Sequence, residues 1–132
     1  MQAGRDPAVV LTAGYIFLAA SADKRRAVDS LRQKLAFIMR NRFLDENIAF
    51  TGIPIDQGAV IAAISKRDLE GAARLISDEA VEAFCVGGSV SECCKKLSSY
   101  ADAGIDELVL LLCGDDHKEN LKVINELGRF KA

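Results

Sequence analysis

Residues 83–113, AFCVGGSVSECCKKLSSYADAGIDELVLLLC, decide the fold. Ala83 to Val86 and Leu108 to Cys113 are apolar without alternation, the pattern of parallel strands covered on both faces. Between them, Ser89 and Glu92 have the spacing of a capping box, in which the Ser oxygen accepts a backbone N–H and the Glu reaches back. The helix they open puts Val90, Cys93/Cys94, Leu97 and Tyr100/Ala101 on one stripe. Gly104 stands where a helix needs a left-handed residue to stop. The stretch reads as one βαβ unit, a connection that crosses over right-handed in nearly every known case.

Outward from this unit, the same alternation continues. The apolar run 8–20 predicts a first strand, and Ser21 the cap of a long helix over 22–44 with Ala27/Val28, Leu31, Leu35 and Ile38/Met39 on one side. Asn47 to Ile55, with Gly52 and Pro54, predicts a loop. Short helices are expected over 56–64 and 67–76, the second capped by Ser65, and one more turn over 78–82. A strand over 83–87, a helix over 90–103, a strand over 107–113 and a last helix from 117 follow. Asp116 and Glu119 repeat the capping-box spacing. The chain divides into a strand–helix unit (8–44), a helical insertion (45–82) and two βα units (83–130) within one domain (1–132). Periodicity fits two architectures equally, an open doubly wound sheet and part of a (β/α)8 barrel. Three parallel strands leave two free edges, which proteins cover or pair.

Composition excludes several classes. The 132 residues carry 17 Lys+Arg against 19 Asp+Glu, a net charge of −2 that argues against a nucleic-acid partner. The basic stretch Lys24 to Arg42 flanks an apolar stripe and reads as the solvated face of the long helix. Cys85, Cys93, Cys94 and Cys113 lack C-x-x-C spacing, and no histidine completes a zinc set. They read as reduced packing thiols in a cytoplasmic protein. Arg5, the apolar run and Ala20-Ser21-Ala22 imitate a secretory leader, but Asp6, Pro7, Thr12, Gly14 and Tyr15 interrupt it, and a buried strand explains the run. The run is also too short to span a bilayer.

Three segments together resemble the C-terminal part of the luciferase-like flavin and deazaflavin oxidoreductases, above all the coenzyme F420-dependent methylenetetrahydromethanopterin reductases. They are LTAGYIFLAASADKRRAVDSLRQKLAFIMRN (11–41), ISDEAVEAFCVGG (76–88) and SECCKKLSSYADAGIDELVLLL (91–112). The resemblance covers Val9 to Leu127 in order and spacing. It implies a (β/α)8 TIM barrel of which this chain supplies the last three βα units. A full barrel takes roughly 250 residues, so about half of it would lie elsewhere. It further implies an oxidoreductase moving hydride between reduced F420 (alternatively FMN) and a pterin-bound one-carbon unit or a similar small molecule. The early strands, which carry most cofactor contacts in that family, have no counterpart here, so the chain alone is expected to lack most of the active site. A homo-oligomer, or pairing with a separate N-terminal half, is the expected assembly. The rival readings are a non-catalytic assembly partner and a small open-sheet ligand-binding module.

The expected anion site is Gly87, Gly88 and Ser89, where glycines let backbone N–H groups approach a cofactor phosphate at a helix N-terminus. The ordinary alternative is a tight strand-to-helix turn with a cap. The corresponding loop after the last strand, Gly114 to Asp116, carries two acidic residues that repel phosphate. His117 sits at the same rim without an assignable partner, and no general base is named. Cys113, Tyr15 and Phe17 read as core, and Asp102, Asp106 and Glu107 fall at the opposite end of the strands.

Overall fold

The computed structural model describes residues 4 and 6–130. Arg5 of the leader-like pattern lies outside the described residues. Three parallel strands form the sheet: β1 (Ala13–Ala20), β2 (Val86–Gly88) and β3 (Glu107–Leu112). The helices are α1 (Lys24–Met39), α2 (Asp45–Thr51), α3 (Gln57–Ser65), α4 (Leu69–Arg74), α5 (Asp78–Phe84), α6 (Val90–Asp102) and α7 (His117–Leu127). The parallel α/β reading holds.

The strand order is β2-β1-β3. A barrel segment implies consecutive order instead, with β2 in the middle. Strand length supplies the reason for the difference. Here β2 is three residues long, whereas β1 offers eight, and β3 pairs with β1 over six positions from Ala13↔Glu107 to Leu18↔Leu112. No six-residue ladder fits on β2.

Alternation along β1 separates two cores. Ala19, with Phe17 beside it, faces α1 and the helical insertion, packing with Leu31, Leu35, Met39, Val60 and Ile76. Ile16, Leu18 and Ala20 face α6 and α7, packing with Cys93, Leu97 and Val123. Helices therefore cover both faces, as the unbroken apolar runs require.

Several boundaries depart from expectation. The first strand begins at Ala13, after a 3-10 turn over Pro7–Val9 that Asp6 caps. Asp23, not Ser21, caps α1 by accepting the Arg25 and Arg26 N–H groups. Residues 45–51 form helix rather than loop because Ile48 is buried in the core and Gly52 (φ 69°) closes the turn. Asp68 caps α4, while Ser65 turns back to the Ile61 carbonyl. Ala83 and Phe84 finish α5 instead of starting β2, because Ser77 opens a helix there and the Cys85 N–H closes onto Val81. Tyr15, expected in the core, is 63% exposed and edges onto Phe17 at 5.8 Å.

Candidate functional site

All three strands point their carboxyl ends to one rim, where open α/β sheets bind ligands. At this rim β1 delivers Ser21, β2 delivers Gly87 to Ser89, and β3 delivers Gly114 to His117. The Ser21 N–H donates to the Gly88 carbonyl at 2.9 Å and ties the first two ends together.

Each glycine of the predicted loop has a packing reason. A Cβ on Gly87 would sit 2.6 Å from Leu31 Cδ1, so this residue lets α1 approach the sheet. Gly88 holds φ +135°, and a Cβ there would meet the Glu92 carboxylate at 2.4 Å. Ser89 caps α6, accepting the Glu92 N–H at 3.2 Å, while Glu92 Oε2 accepts the Ser89 N–H at 2.8 Å. The capping box is complete. The Ser89 N–H and Lys24, whose Nζ lies 3.4 Å from Oε1, hold the Glu92 carboxyl below its ordinary titration range. The place at the helix N-terminus that an anion would take is held by the protein's own carboxylate.

The second loop is closed in the same manner. Asp116 caps α7, and the Glu119 and Lys118 N–H groups hold its carboxyl below the usual range. Glu119 does not return to the cap as its spacing suggested. It accepts from the Ser21 hydroxyl at 2.9 Å and pairs with Arg26 at 3.4 Å. Arg26 also meets Asp115 at 2.7 Å. These contacts bridge the ends of β1 and β3 and join helices on opposite faces of the sheet. The sequence carried no local signal for Arg26, Asp115 and Ser21, because the pairs span about 90 residues or more. His117 is exposed in the first turn of α7.

A groove of about 830 Å³ runs beside β2, bounded by Lys24 and Arg25 of α1, Asp78 and Glu82 of α5, and Glu92, Lys95 and Lys96 of α6, with Gly87 at its floor. The Lys96 ammonium donates to the Cys85 carbonyl at 2.8 Å and to that of Glu82, and burial lowers its pKa. Arg32 reaches Asp78 and the Ile76 carbonyl, tying α1 to α5.

The cysteines behave as small apolar groups. Burial pushes Cys85 up to about 12 and Cys93 up to about 11, and also raises Cys113. Thiolate chemistry is suppressed there. Among the described residues no group of His, Cys, Asp and Glu is placed to hold a metal ion, and no helix is long and apolar enough to cross a membrane.

No family model matches the chain. Among solved structures, it superposes on the coenzyme F420-dependent tetrahydromethanopterin reductase of Methanopyrus kandleri with a TM-score of 0.78. The alignment has 23% identity and covers 92% of this chain but 36% of that one. The fold of this chain thus recurs within an F420-dependent reductase, and the chain spans about a third of that protein's length.

Proposed function

We propose that this chain supplies the C-terminal βα units of a luciferase-like, coenzyme F420-dependent oxidoreductase, and that it does not complete the reaction alone. The observation that carries the reading is the superposition over 92% of the chain onto a minor part of such a reductase. The intact enzyme would pass hydride between the deazaflavin and a pterin-bound one-carbon unit. The cofactor would supply that chemistry, and the protein the orientation.

The residues present here do not fit an anionic cofactor as they stand. The Ser89 N–H is held by Glu92, and Asp115 and Asp116 line the neighbouring loop. Gly87, Gly88 and Ser89 receive an anion only once the Glu92 carboxylate leaves. This supports a unit whose site is completed, and its loop rearranged, by other polypeptide.

Fluorescence titration of F420 into wild type and Glu92→Gln tests the loop. The reading expects little or no binding by wild type and about tenfold tighter binding by the variant, one step on the affinity scale. Tight binding by wild type, or no difference between the two, contradicts it.

A second reading is favoured by the strand order. With β1 central and helices on both faces, the chain is an open-sheet module with a switch point between β1 and β3, beside Ser21, Arg26 and Asp115. Ligand affinity that responds to Arg26→Ala but not to Glu92→Gln selects this alternative.

A further inference from the structure

The two edges of the sheet differ. The β3 edge is six residues long and unpaired on its outer side among the described strands, which leaves it open to further βα units. The outer side of β2 is closed to another strand. The Ser21 N–H donates to the Gly88 carbonyl, so Gly88 faces β1 and, by alternation, Cys85, Gly87 and Ser89 face outward. Lys96 takes the Cys85 carbonyl and Glu92 the Ser89 N–H, charged side chains that blunt the edge. Between these two capped positions, Gly87 forms the floor of the groove lined by α1, α5 and α6. At about 830 Å³ the groove has the size of a small-molecule site.

The charges of this groove are unbalanced at one point. The Lys96 ammonium is partly buried and bonds two neutral carbonyls, those of Glu82 and Cys85, with no carboxylate partner among the described residues. Burial lowers its pKa, and the Glu82 carboxylate acts on it only through space. An ammonium has three donors, so one remains. Lys95, the preceding residue of α6, also has no ion-pair partner among the described residues. Two of the groove's carboxylates are committed elsewhere: Glu92 to Ser89 and Lys24, and Asp78 to Arg25 and Arg32. Four cations line the groove against three carboxylates, an excess of one positive charge. Val28 and Val81 supply apolar wall, which the lysine stems extend.

We infer that this groove binds an amphipathic carboxylic acid as its anion, with the carboxylate on Lys96 beside Lys95 and the apolar body against Val28 and Val81. A carboxylate is the counterion that the Lys96 ammonium lacks, and such a pair is stronger where the walls exclude part of the water. A single negative charge cancels the excess. A phosphate monoester approaches two negative charges at neutral pH and leaves the groove negative beside Glu82 and Glu92. A neutral ligand leaves the Lys96 charge unmatched. The groove and the β3 edge lie on opposite sides of the sheet, so this site stands apart from any units that join at β3 and goes beyond the reductase reading.

Titration of the 132-residue chain with 2-naphthoate, followed by amide NMR, tests the proposal, with 2-naphthamide and 2-naphthyl phosphate as the neutral and more highly charged comparators. The expected Kd for 2-naphthoate is on the order of 1 mM, as fits so small a ligand, with shifts at the Val81, Gly87 and Lys96 amides. Both comparators are expected to bind about tenfold more weakly, the scale of one charge-assisted hydrogen bond. Lys96→Met keeps an apolar stem and is expected to weaken 2-naphthoate about tenfold as well. Lys66→Met, at an exposed position outside the groove, is expected to change nothing. The shift map and the comparators need no variant, so they decide the outcome even where Lys96→Met does not fold. No binding by wild type, shifts confined to another face, equal or tighter binding of a comparator, or an unchanged affinity in folded Lys96→Met would each overturn it.

Discussion

Glu92 and Ser89 satisfy one another: the carboxylate accepts the Ser89 N–H at 2.8 Å and the hydroxyl oxygen accepts the Glu92 N–H at 3.2 Å. The turn that a sequence reader takes for an anion cradle is thereby closed from within. Ser89→Ala leaves the Glu92 N–H without its acceptor and is expected to cost about 1 kcal/mol in urea unfolding, with the slope unchanged.

The same carboxylate sets an acid response. Asp78, beside Arg32, and Asp116, at its helix cap, are also held below their ordinary values. A depressed folded pKa gives stability that is present above the unfolded value and lost as pH falls through the folded one. Thermal midpoints are expected to decline as pH drops below 4.5 for Glu92 and 3.8 for the two aspartates. Glu92→Gln should flatten the first part of that decline in a series of melts, and an unchanged profile would remove Glu92 from the account.

Close packing at Gly87 predicts a different failure. An added Cβ meets Leu31 Cδ1 at 2.6 Å, and Leu31 is fully buried and has nowhere to swing. Gly87→Ala is expected to destabilise by about 1–3 kcal/mol through overpacking. In a double-mutant cycle with Leu31→Val, the combined cost should fall below the sum of the single costs, because the truncation opens the space the new methyl needs.

Much of the fold was legible locally. The βαβ unit, the Ser89 box and the Gly104 stop (φ +97°) appear close to where their residue types place them. Each is decided within a few residues of chain. Helix α2 is not legible locally, because Gly52 and Pro54 predict a loop and Ile48 alone reports the buried face. Sheet order was illegible because it follows from the short length of β2, which the apolar stretch 83–87 conceals by ending α5. At the site, Glu119 carried the right spacing and made another contact, since Ser21 and Arg26 arrive from 98 and 93 residues away.

Thiol accessibility checks the two cores independently. Cys85 and Cys93 are buried with strongly raised pKa values, whereas Cys94 and Cys113 are partly exposed. Ellman's reagent at mildly alkaline pH is expected to find at most two fast-reacting thiols in the native protein and four after denaturation. Rapid modification of Cys93 would mean that α6 does not pack on the sheet.

As proposed above, this chain is part of a reductase-like unit that is catalytically incomplete by itself. The most direct measurement is hydride transfer from reduced F420 to a methylene-pterin acceptor, followed by the cofactor's absorbance, with the purified 132-residue chain as the sole protein. The predicted result is a rate equal to the protein-free blank. Sustained turnover by the chain alone would contradict it.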